Sequence, residues 1–315
     1  MAKVTETKPK PRHILQLTSE EKRKFLNSFD NVFSDIDGVV WDLETGIPGS
    51  ADGFEAIRKA GKKLDFITNN SVRPLKSYEK RFKDMNLDID VSEVINPAKS
   101  VVEYLKDIKF NGLIYVIAGT TFKNYFKDAG LKYIDGPNEI IQESAVEVLT
   151  HAFDRQNVDA VVIDVDFNMS SLKLIKAHVY LKNPKCLLIA GATDLYLPVT
   201  KEWNILGPGH FANILDVSTK QNMITLGKPG KALADKIIKQ YKITNPKRTL
   251  MIGDMLQQDI GFGKLCGFQT LLVLSGGCSL KEMEEETNQN QIPDYYADCV
   301  GDFINFMDDL KKANV

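Results

Sequence analysis

The chain has 315 residues, enough for about two domains, and its 43% hydrophobic and 26% charged content is typical of a folded globular protein. Its formal net charge of −2 gives no electrostatic reason to expect a nucleic-acid or membrane partner. No apolar run approaches the roughly 20 residues of a membrane span. Residues 1–18 are polar and lack both an apolar signal core and an Arg-rich transit pattern, so we expect a disordered tail on a cytoplasmic protein.

The first part of the chain alternates between predicted helices and strands. Thr18 and Glu21 have the spacing of a capping box, which predicts a helix over the residues that follow. An apolar strand then leads into Asp35, and the alternation continues as far as the helix LKSYEKRFKDMN. It resumes after Met223 with a helix, the strand TLMIGD, a helix and the strand TLLVLSGG. Such alternation is typical of a parallel sheet covered by helices.

The middle of the chain, residues 96–215, alternates in the same way, with the apolar strands GLIYVIAG, AVVIDVDF and CLLIAGATD. Either one large sheet runs through the whole chain, or this segment is an inserted domain. A single hydrophobic core rarely grows beyond about 250–300 residues, which favours an insertion. We therefore predict an α/β core formed by residues 19–95 and 216–315, and an inserted α/β domain formed by residues 96–215.

Short polar motifs end apolar strands of the predicted core. They contain Asp35 and Asp37, then Thr68, Asn69 and Asn70, then Lys228, and finally Asp254 with Asp259. The carboxyl ends of parallel strands open on one edge of a sheet, where ligands bind, so these motifs are expected to converge. Mg²⁺ takes oxygen ligands, and a lysine with loop amides stabilises phosphoryl oxygens. The motifs therefore predict a site for Mg²⁺ and a phosphate group.

The same motifs match a known family in order and spacing. They are the stretches DIDGVVW, FITNNS, GKP and MIGDMLQQDIGFGKLCGFQTLLVLSG. The chain resembles the haloacid dehalogenase (HAD) superfamily of phosphohydrolases, and within it the branch of 4-nitrophenyl phosphate, phosphoglycolate, glycerol-3-phosphate and pyridoxal phosphate phosphatases. The resemblance covers nearly the whole chain from about Phe25. It implies a Rossmann-like parallel-sheet core with a large inserted α/β cap of the C2 type.

The resemblance also implies roles for the acids. Asp35 would be the nucleophile that forms an aspartyl-phosphate, and Asp37 would act first as general acid and then as general base. The Asp35 carboxylate, the Asp37 carbonyl and Asp254 would ligate Mg²⁺. Asp259 would orient the metal waters or the lysine, although an acid at a helix N-terminus can also be explained by the helix dipole alone.

The resemblance places the phosphate group on the remaining motifs. Thr68, Asn69 and Asn70 would surround the phosphoryl oxygens, and Lys228 would pair with both the phosphate and the nucleophile. A threonine at a strand end can equally be a turn residue, and this alternative stays open for Thr68. Trp41, close to the first acids, could line the entrance to the site or could be a packing residue.

The implied cap would cover the site and select the substrate. In the family, a loop of the form xATNxDxxxP faces the substrate, and the matching stretch here is IAGATDLYLP. Gly191 and Ala192 stand where the family has Thr-Asn, whereas Asp194 is kept. His210 and Phe211 end the stretch that corresponds to a family PGxG motif. We expect Gly191, Ala192, Asp194 and His210 to set specificity, and the cap to form a possible homodimer interface.

The sequence therefore predicts an Mg²⁺-dependent phosphomonoesterase acting on a small phosphorylated metabolite, with no nucleic-acid or membrane partner. The alternative is a catalytically weak or regulatory protein that binds phosphate compounds. Intact Asp35, Asp37, Lys228 and Asp254 favour catalysis. A nucleotide-hydrolysing P-loop enzyme is disfavoured, because neither GxxxxGK[ST] nor GxGxxG occurs. Met255 stands where the family usually has Arg, and with the altered cap loop it leaves the substrate open.

Overall fold

The computed structural model describes residues 10–42, 45–142, 144–198 and 203–313. The chain divides into two compact units. The first unit combines Met1–Asp65 with Thr244–Val315, and the second unit is Phe66–Ile243. Within the described residues, no helix is both long and apolar enough to cross a bilayer.

The strands, in chain order, are β1 (Arg12–His13), β2 (Asn31–Ser34), β3 (Lys63–Phe66), β4 (Leu113–Ile117), β5 (Tyr133–Ile134), β6 (Val158–Ile163), β7 (Leu187–Ala190), β8 (Tyr196–Pro198), β9 (Asn204–Leu206), β10 (Ile224–Thr225), β11 (Thr249–Gly253), β12 (Gln269–Val273) and β13 (Tyr295–Ala297).

The helices, in chain order, are α1 (Ser19–Asn27), α2 (Ser50–Lys59), α3 (Leu75–Asp84), α4 (Pro97–Asp107), α5 (Thr120–Asp128), α6 (Ala145–Ala152), α7 (Ser171–Tyr180), α8 (Pro208–Thr219), α9 (Lys231–Gln240), α10 (Gly261–Cys266), α11 (Leu280–Glu285) and α12 (Asp302–Lys312).

The first unit is built on a six-stranded sheet with the order β1-β13-β12-β11-β2-β3. Strand β11 pairs in parallel with β2 on one side and with β12 on the other. Its residues are buried along its whole length, as expected for a central strand of a parallel sheet that helices cover on both faces. The order places β2 and β11 side by side, so that the residues following them, Asp35 and Asp254, leave the same edge of the sheet.

The second unit is built on a five-stranded sheet with the order β10-β7-β6-β4-β5, in which all pairs are parallel. Alternate residues of its strands face two hydrophobic clusters. Ile114 and Val116 pack with helices α4 and α5, whereas Tyr115 and Ile117 pack with α7 and α8. A parallel sheet between two helical layers confirms the predicted α/β architecture. Strands β8 and β9 form a separate antiparallel hairpin.

The second sheet extends beyond the predicted insertion. Strand β10 pairs with β7, so residues as far as Thr225 belong to this sheet, ten residues beyond the predicted boundary at 215. The second unit also begins at Phe66 rather than at residue 96. A two-residue strand such as β10 has no periodicity that a sequence could display, so the sequence alone does not indicate that it belongs to this sheet.

The predicted disordered tail was wrong for its last residues. Arg12 and His13 form strand β1, which pairs in parallel with Tyr295 and Tyr296 of β13. Two apolar side chains nearby, Ile14 and Leu17, are buried. Two isolated apolar residues beside a two-residue strand give no pattern to read, although burying them stabilises the segment. Residues 1–9 of the predicted tail lie outside the described residues.

The helix predicted after Thr18 is confirmed. The hydroxyl of Thr18 accepts a hydrogen bond from the backbone N–H of Glu21 at 3.3 Å, and the Glu21 carboxylate accepts one from the Thr18 N–H at 2.8 Å. This reciprocal pair is the predicted capping box. The start of α1 at Ser19 could therefore be predicted from the sequence.

Candidate active site

The first acid motif lies directly after β2. Asp35 continues the alignment of β2 with β11, because its N–H donates to the carbonyl of Ile252 at 2.9 Å. Its carboxylate accepts a hydrogen bond from the N–H of Ile36 at 2.8 Å. The carboxylate of Asp37 accepts one from the indole N–H of Trp41 at 2.9 Å. Both acids are therefore held by the tight turn that follows the strand.

Three carboxylates meet at this edge of the first sheet. Asp35, Asp254 and Asp259 each offer an oxygen atom, and these atoms lie within 4.8 Å of one another. The three residues are 9%, 4% and 0% exposed. Buried like charges at such a distance repel each other strongly unless a cation neutralises them or one acid keeps its proton.

Backbone N–H groups also hold the carboxylates of Asp259 and Asp254 in place. Asp259 uses one oxygen, Oδ2, to accept from the N–H groups of Asp254 at 3.1 Å and Met255 at 3.0 Å. Asp254 uses Oδ2 to accept from the N–H of Gly277 at 2.6 Å. The oxygen atoms that come within 4.8 Å of one another all belong to carboxylates, the ligand type that Mg²⁺ prefers. The chemistry of these residues therefore fits the predicted metal. Asp259 fixes the backbone that carries Asp254, and its predicted orienting of metal waters or of the lysine stays a prediction.

The absence of a side chain at Gly38 leaves space for the Asp254 carboxylate. Its φ is +84°, in the region that favours glycine, and a Cβ added there would lie 2.2 Å from Oδ2 of Asp254. Its carbonyl accepts a hydrogen bond from the hydroxyl of Ser275 at 2.8 Å. A side chain at position 38 would both strain the turn and displace the acid.

The phosphate-binding motifs predicted from the sequence lie in the second unit. Asn69 uses both ends of its amide on the backbone of Lys228: Nδ2 donates to the Lys228 carbonyl at 2.9 Å, and Oδ1 accepts from the Lys228 N–H at 2.8 Å. Thr68 accepts a hydrogen bond from the N–H of Asn70 at 3.0 Å. Both Thr68 and Lys228 are buried. The structure thus brings these motifs together through side-chain to backbone hydrogen bonds.

Asn70 has a structural task within this segment. Its Oδ1 accepts hydrogen bonds from the N–H groups of Val72 at 3.2 Å and Arg73 at 3.1 Å. This turn leads the chain toward α3. The predicted contact of Asn70 with phosphate stays a prediction.

The predicted specificity loop also lies in the second unit. Asp194 accepts a hydrogen bond from Asn69 Nδ2 at 2.7 Å, which links the loop to the phosphate-binding motif. Ala192 is only 1% exposed, so its methyl group lines no open surface. The His210 ring packs edge-on against Tyr196, with 5.3 Å between ring centroids. Its Nε2 is buried and has no hydrogen-bond partner among the described residues.

Sequence reasoning missed the task of two residues. Trp41 is buried and holds Asp37, rather than lining an entrance. Asp164 directly follows β6 and is fully buried. Its signal was in the sequence: Asp164 and Asp166 follow the apolar run AVVI one residue apart, the same pattern that drew attention to Asp35 and Asp37.

Comparisons with known proteins identify the family of this chain. Residues 32–132 match the family model of haloacid dehalogenase-like hydrolases, and residues 225–303 match that of HAD-hydrolase-like proteins. Phosphoglycolate phosphatase 2 of Arabidopsis thaliana is 31% identical over 298 residues, which are 93% of this chain and 98% of that protein. Human glycerol-3-phosphate phosphatase is 29% identical over 305 residues, covering 92% of this chain and 94% of its own.

The fold is shared with a solved structure. The 4-nitrophenylphosphatase of Thermotoga maritima superposes with a TM-score of 0.71 at 23% identity, covering 89% of this chain and 98% of its own. The fold therefore has a Rossmann-like core and a second α/β domain. More particularly, the chain belongs to the haloacid dehalogenase-like hydrolases, since a relative above 30% identity matches it over nearly its full length. The resemblance inferred from the motifs is confirmed.

Proposed function

We propose that this protein is an Mg²⁺-dependent phosphomonoesterase that hydrolyses a small phosphorylated metabolite through an aspartyl-phosphate on Asp35. Its family and its full-length relatives make the chain a phosphoric monoester hydrolase. The proposal adds the metal, the nucleophile and the order of steps. The observation that carries it is the cluster of three buried carboxylates at the strand ends of the first sheet.

In the first step, a carboxylate oxygen of Asp35 attacks phosphorus and the bond from phosphorus to the ester oxygen breaks. The departing alcohol oxygen takes a proton from Asp37, the general acid. In the second step, Asp37 accepts a proton from water while the water oxygen attacks phosphorus. The bond from phosphorus to Asp35 breaks, and inorganic phosphate leaves. Both residues end in their starting state. The indole N–H of Trp41 orients the Asp37 carboxyl throughout.

The metal would be held by the carboxylates of Asp35 and Asp254 and by the backbone carbonyl of Asp37. When bound, Mg²⁺ neutralises the negative charge of the acids and of the phosphoryl oxygens. Asp259 keeps Asp254 in place through the backbone N–H groups of residues 254 and 255.

The predicted phosphate-binding motifs would supply the remaining phosphate contacts. We assign the phosphoryl oxygens to the Thr68 hydroxyl, the backbone of Asn69 and Asn70, and the ammonium group of Lys228. The Asn69 side chain is already engaged with Lys228 and Asp194, so we assign it a positioning task instead. Each of these contacts stabilises negative charge that grows in the transition state.

The substrate class is that of the relatives: glycerol 3-phosphate, phosphoglycolate and comparable small esters, with pyridoxal phosphate among the candidates. Selection would lie with the loop that contains Gly191, Ala192 and Asp194 and with His210, because the core contacts only the phosphoryl group that all these esters share. Buried Ala192 would act through the course of that loop and not by contact with the substrate. With Gly191 and Ala192 in place of Thr-Asn, we expect a less polar leaving group. A cytoplasmic location and a homodimer formed through the cap stay predictions.

The test is release of inorganic phosphate from 4-nitrophenyl phosphate and from a panel of the esters named above, with and without Mg²⁺. Asp35→Asn should abolish turnover, because it removes the nucleophile and one negative charge of the metal site. Asp52→Asn, which changes an exposed acid on α2, is the matched control and should behave like the wild type. If kcat of Asp35→Asn stays within about tenfold of the control, covalent catalysis at Asp35 is excluded.

The same assay also tests the alternative that the protein binds phosphate compounds without hydrolysing them. A protein that binds phosphate compounds without turnover would show saturable binding of inorganic phosphate or substrate by calorimetry, but no release of phosphate at any Mg²⁺ concentration. Turnover that survives exhaustive chelation would instead contradict the metal site.

A further inference from the structure

Asp164 is a fully buried acid that the proposed reaction does not use. It directly follows β6 in the second unit, and its side chain is 0% exposed. Oδ1 accepts hydrogen bonds from the hydroxyl of Ser71 and from the N–H of Val165 at 2.6 Å. Oδ2 accepts one from the N–H of Ala192 at 2.8 Å. Three hydrogen-bond donors thus fix the position of this buried carboxyl group. Two of them, Ser71 and Ala192, show which segments it connects.

The partners belong to two functional segments that are far apart in the chain. Ser71 comes directly after the motif Thr68-Asn69-Asn70, which we assign to the phosphate. Ala192 lies in the predicted specificity loop. One carboxyl group therefore bridges the phosphate-binding segment to the loop that selects the substrate.

The specificity loop departs from the family pattern at the place where Asp164 reaches it. A Cβ added to Gly191 would lie 1.9 Å from Oδ2 of Asp164 and 3.1 Å from the Cβ of Pro97. The family has Thr-Asn at the positions of Gly191 and Ala192. The Asp164 carboxylate thus occupies the space that a side chain at position 191 would need, so this acid requires a glycine there.

A second bridge joins the same two segments. The Asn69 amide donates to Asp194 at 2.7 Å while it holds the backbone of Lys228. The segment 68–71 is thereby fixed to the loop 191–194 at two points, and through Asn69 it also fixes the lysine. Displacing either bridge would move groups that we assign to the phosphate.

We infer that Asp164 is a positioning residue, which sets the phosphate-binding segment 68–71 against the specificity loop 191–194 and takes the place of the side chain that the family carries at position 191. The inference rests on the proposed function, because it concerns groups assigned to the substrate there. The bridge that Asp164 forms between Ser71 and Ala192 does not depend on whether the protein is a phosphatase.

The test compares Asp164→Asn and Ser71→Ala with the control Asp166→Asn. Asp166 lies two residues farther along the chain in the same loop, and its buried carboxylate pairs with Lys173 at 2.7 Å instead of joining the two segments. For Asp164→Asn we expect kcat to fall about tenfold or more on every ester, since the phosphate-binding segment is displaced. KM should rise more for glycerol 3-phosphate than for 4-nitrophenyl phosphate, since the specificity loop is freed. The control should keep the wild-type kcat and KM at temperatures where it is folded.

Ser71→Ala retains the carboxylate and removes only the link to segment 68–71. It should lower kcat with little change in KM, and it keeps the test valid if Asp164→Asn does not fold. Wild-type kcat and KM in folded Asp164→Asn, or equal losses in Ser71→Ala and the control, would overturn the positioning role.

Hydrogen exchange separates the bridge from the reaction. In metal-free and substrate-free protein, the Ala192 amide should exchange at least about tenfold faster in Asp164→Asn than in Asp166→Asn. Equal exchange in the two variants would refute the bridge whether or not the protein is a phosphatase. If the Ala192 amide exchanges faster in Asp164→Asn but the wild type releases no phosphate, only the proposed function is refuted. Gly191→Ala should also cost less activity in an Asp164→Ala background than in the wild type, because the atom that clashes is gone. Strictly additive losses would contradict the coupling of the two positions.

Discussion

Asp164 also makes the stability of the second unit depend on pH. Burial raises the pKa of its carboxyl from 3.8 to about 6, although the Ser71 hydroxyl and the N–H groups of Ala192 and Val165 act in the opposite direction. The folded protein therefore holds the Asp164 proton more tightly than the unfolded chain does. Stability from this group is fully present below about pH 4 and is lost as the pH rises to about 6.

The magnitude follows from the shift. A rise from 3.8 to about 6, at about 1.4 kcal/mol for each pH unit, amounts to about 3 kcal/mol. The observable is the difference in the free energy of unfolding between the wild type and Asp164→Asn, from urea titrations followed by circular dichroism. Taking this difference removes the titration of all groups that the two proteins share. Relative to the variant, the wild type should lose about 3 kcal/mol between about pH 4 and pH 6, and nothing further above that range.

A second variant checks the cause. Ser71→Ala removes a donor that lowers the pKa of Asp164, so the loss of stability should become larger and extend to higher pH. Asp194 lies close enough to raise the Asp164 pKa by its charge, so in an Asp194→Asn background the loss should be smaller and should end at lower pH. If the difference between wild type and Asp164→Asn does not change with pH, the carboxyl titrates as it does in the unfolded chain, and the argument from burial is refuted.

Further predictions concern the first unit. Asp37→Asn should slow esters with poor alcohol leaving groups far more than 4-nitrophenyl phosphate, and equal losses on both would exclude Asp37 as the acid. Trp41→Phe removes the hydrogen bond to Asp37 but keeps an aromatic ring, so kcat should fall about tenfold with KM unchanged; an unaltered kcat would leave Trp41 with a packing role only. Gly38→Ala should cost about 2 kcal/mol or more in urea unfolding, because its Cβ meets Asp254; a loss below about 0.5 kcal/mol would show that the turn adjusts without strain.

The sequence predicted the parts of the fold that long patterns encode. The strand into Asp35, the strand TLMIGD and the helices between them follow from apolar periodicity, and their parallel pairing follows from alternation. Strands β1 and β10 were not predicted, because a strand of two residues shows no alternation of apolar and polar side chains. Their positions depend on partners far away in the chain, β13 and β7, which local sequence does not specify.

For the candidate site, the sequence predicted which residues lie together but not the hydrogen bonds that hold them. Asp35, Asp254 and Asp259 were expected to lie together, and their carboxylates do. The hydrogen bonds that hold the predicted residues were not foreseen, because a side chain such as Asn69 can bind phosphate or backbone equally well by its chemistry. Gly191 was read only as a departure from a family pattern, since its reason lies in Asp164, which is 27 positions earlier in the sequence and touches it only in the fold.

Strand β1 lies at one end of the first sheet, and we expect it to limit self-association. By pairing with β13, it covers a strand whose N–H and C=O groups would otherwise form an open edge. Uncovered edges of this kind template pairing with other chains and lead to aggregation. A variant without residues 1–18 keeps every residue that we assign to the reaction, so it should still release phosphate when freshly diluted. It should nevertheless scatter light increasingly with concentration and time, whereas a variant without residues 1–9 should remain clear.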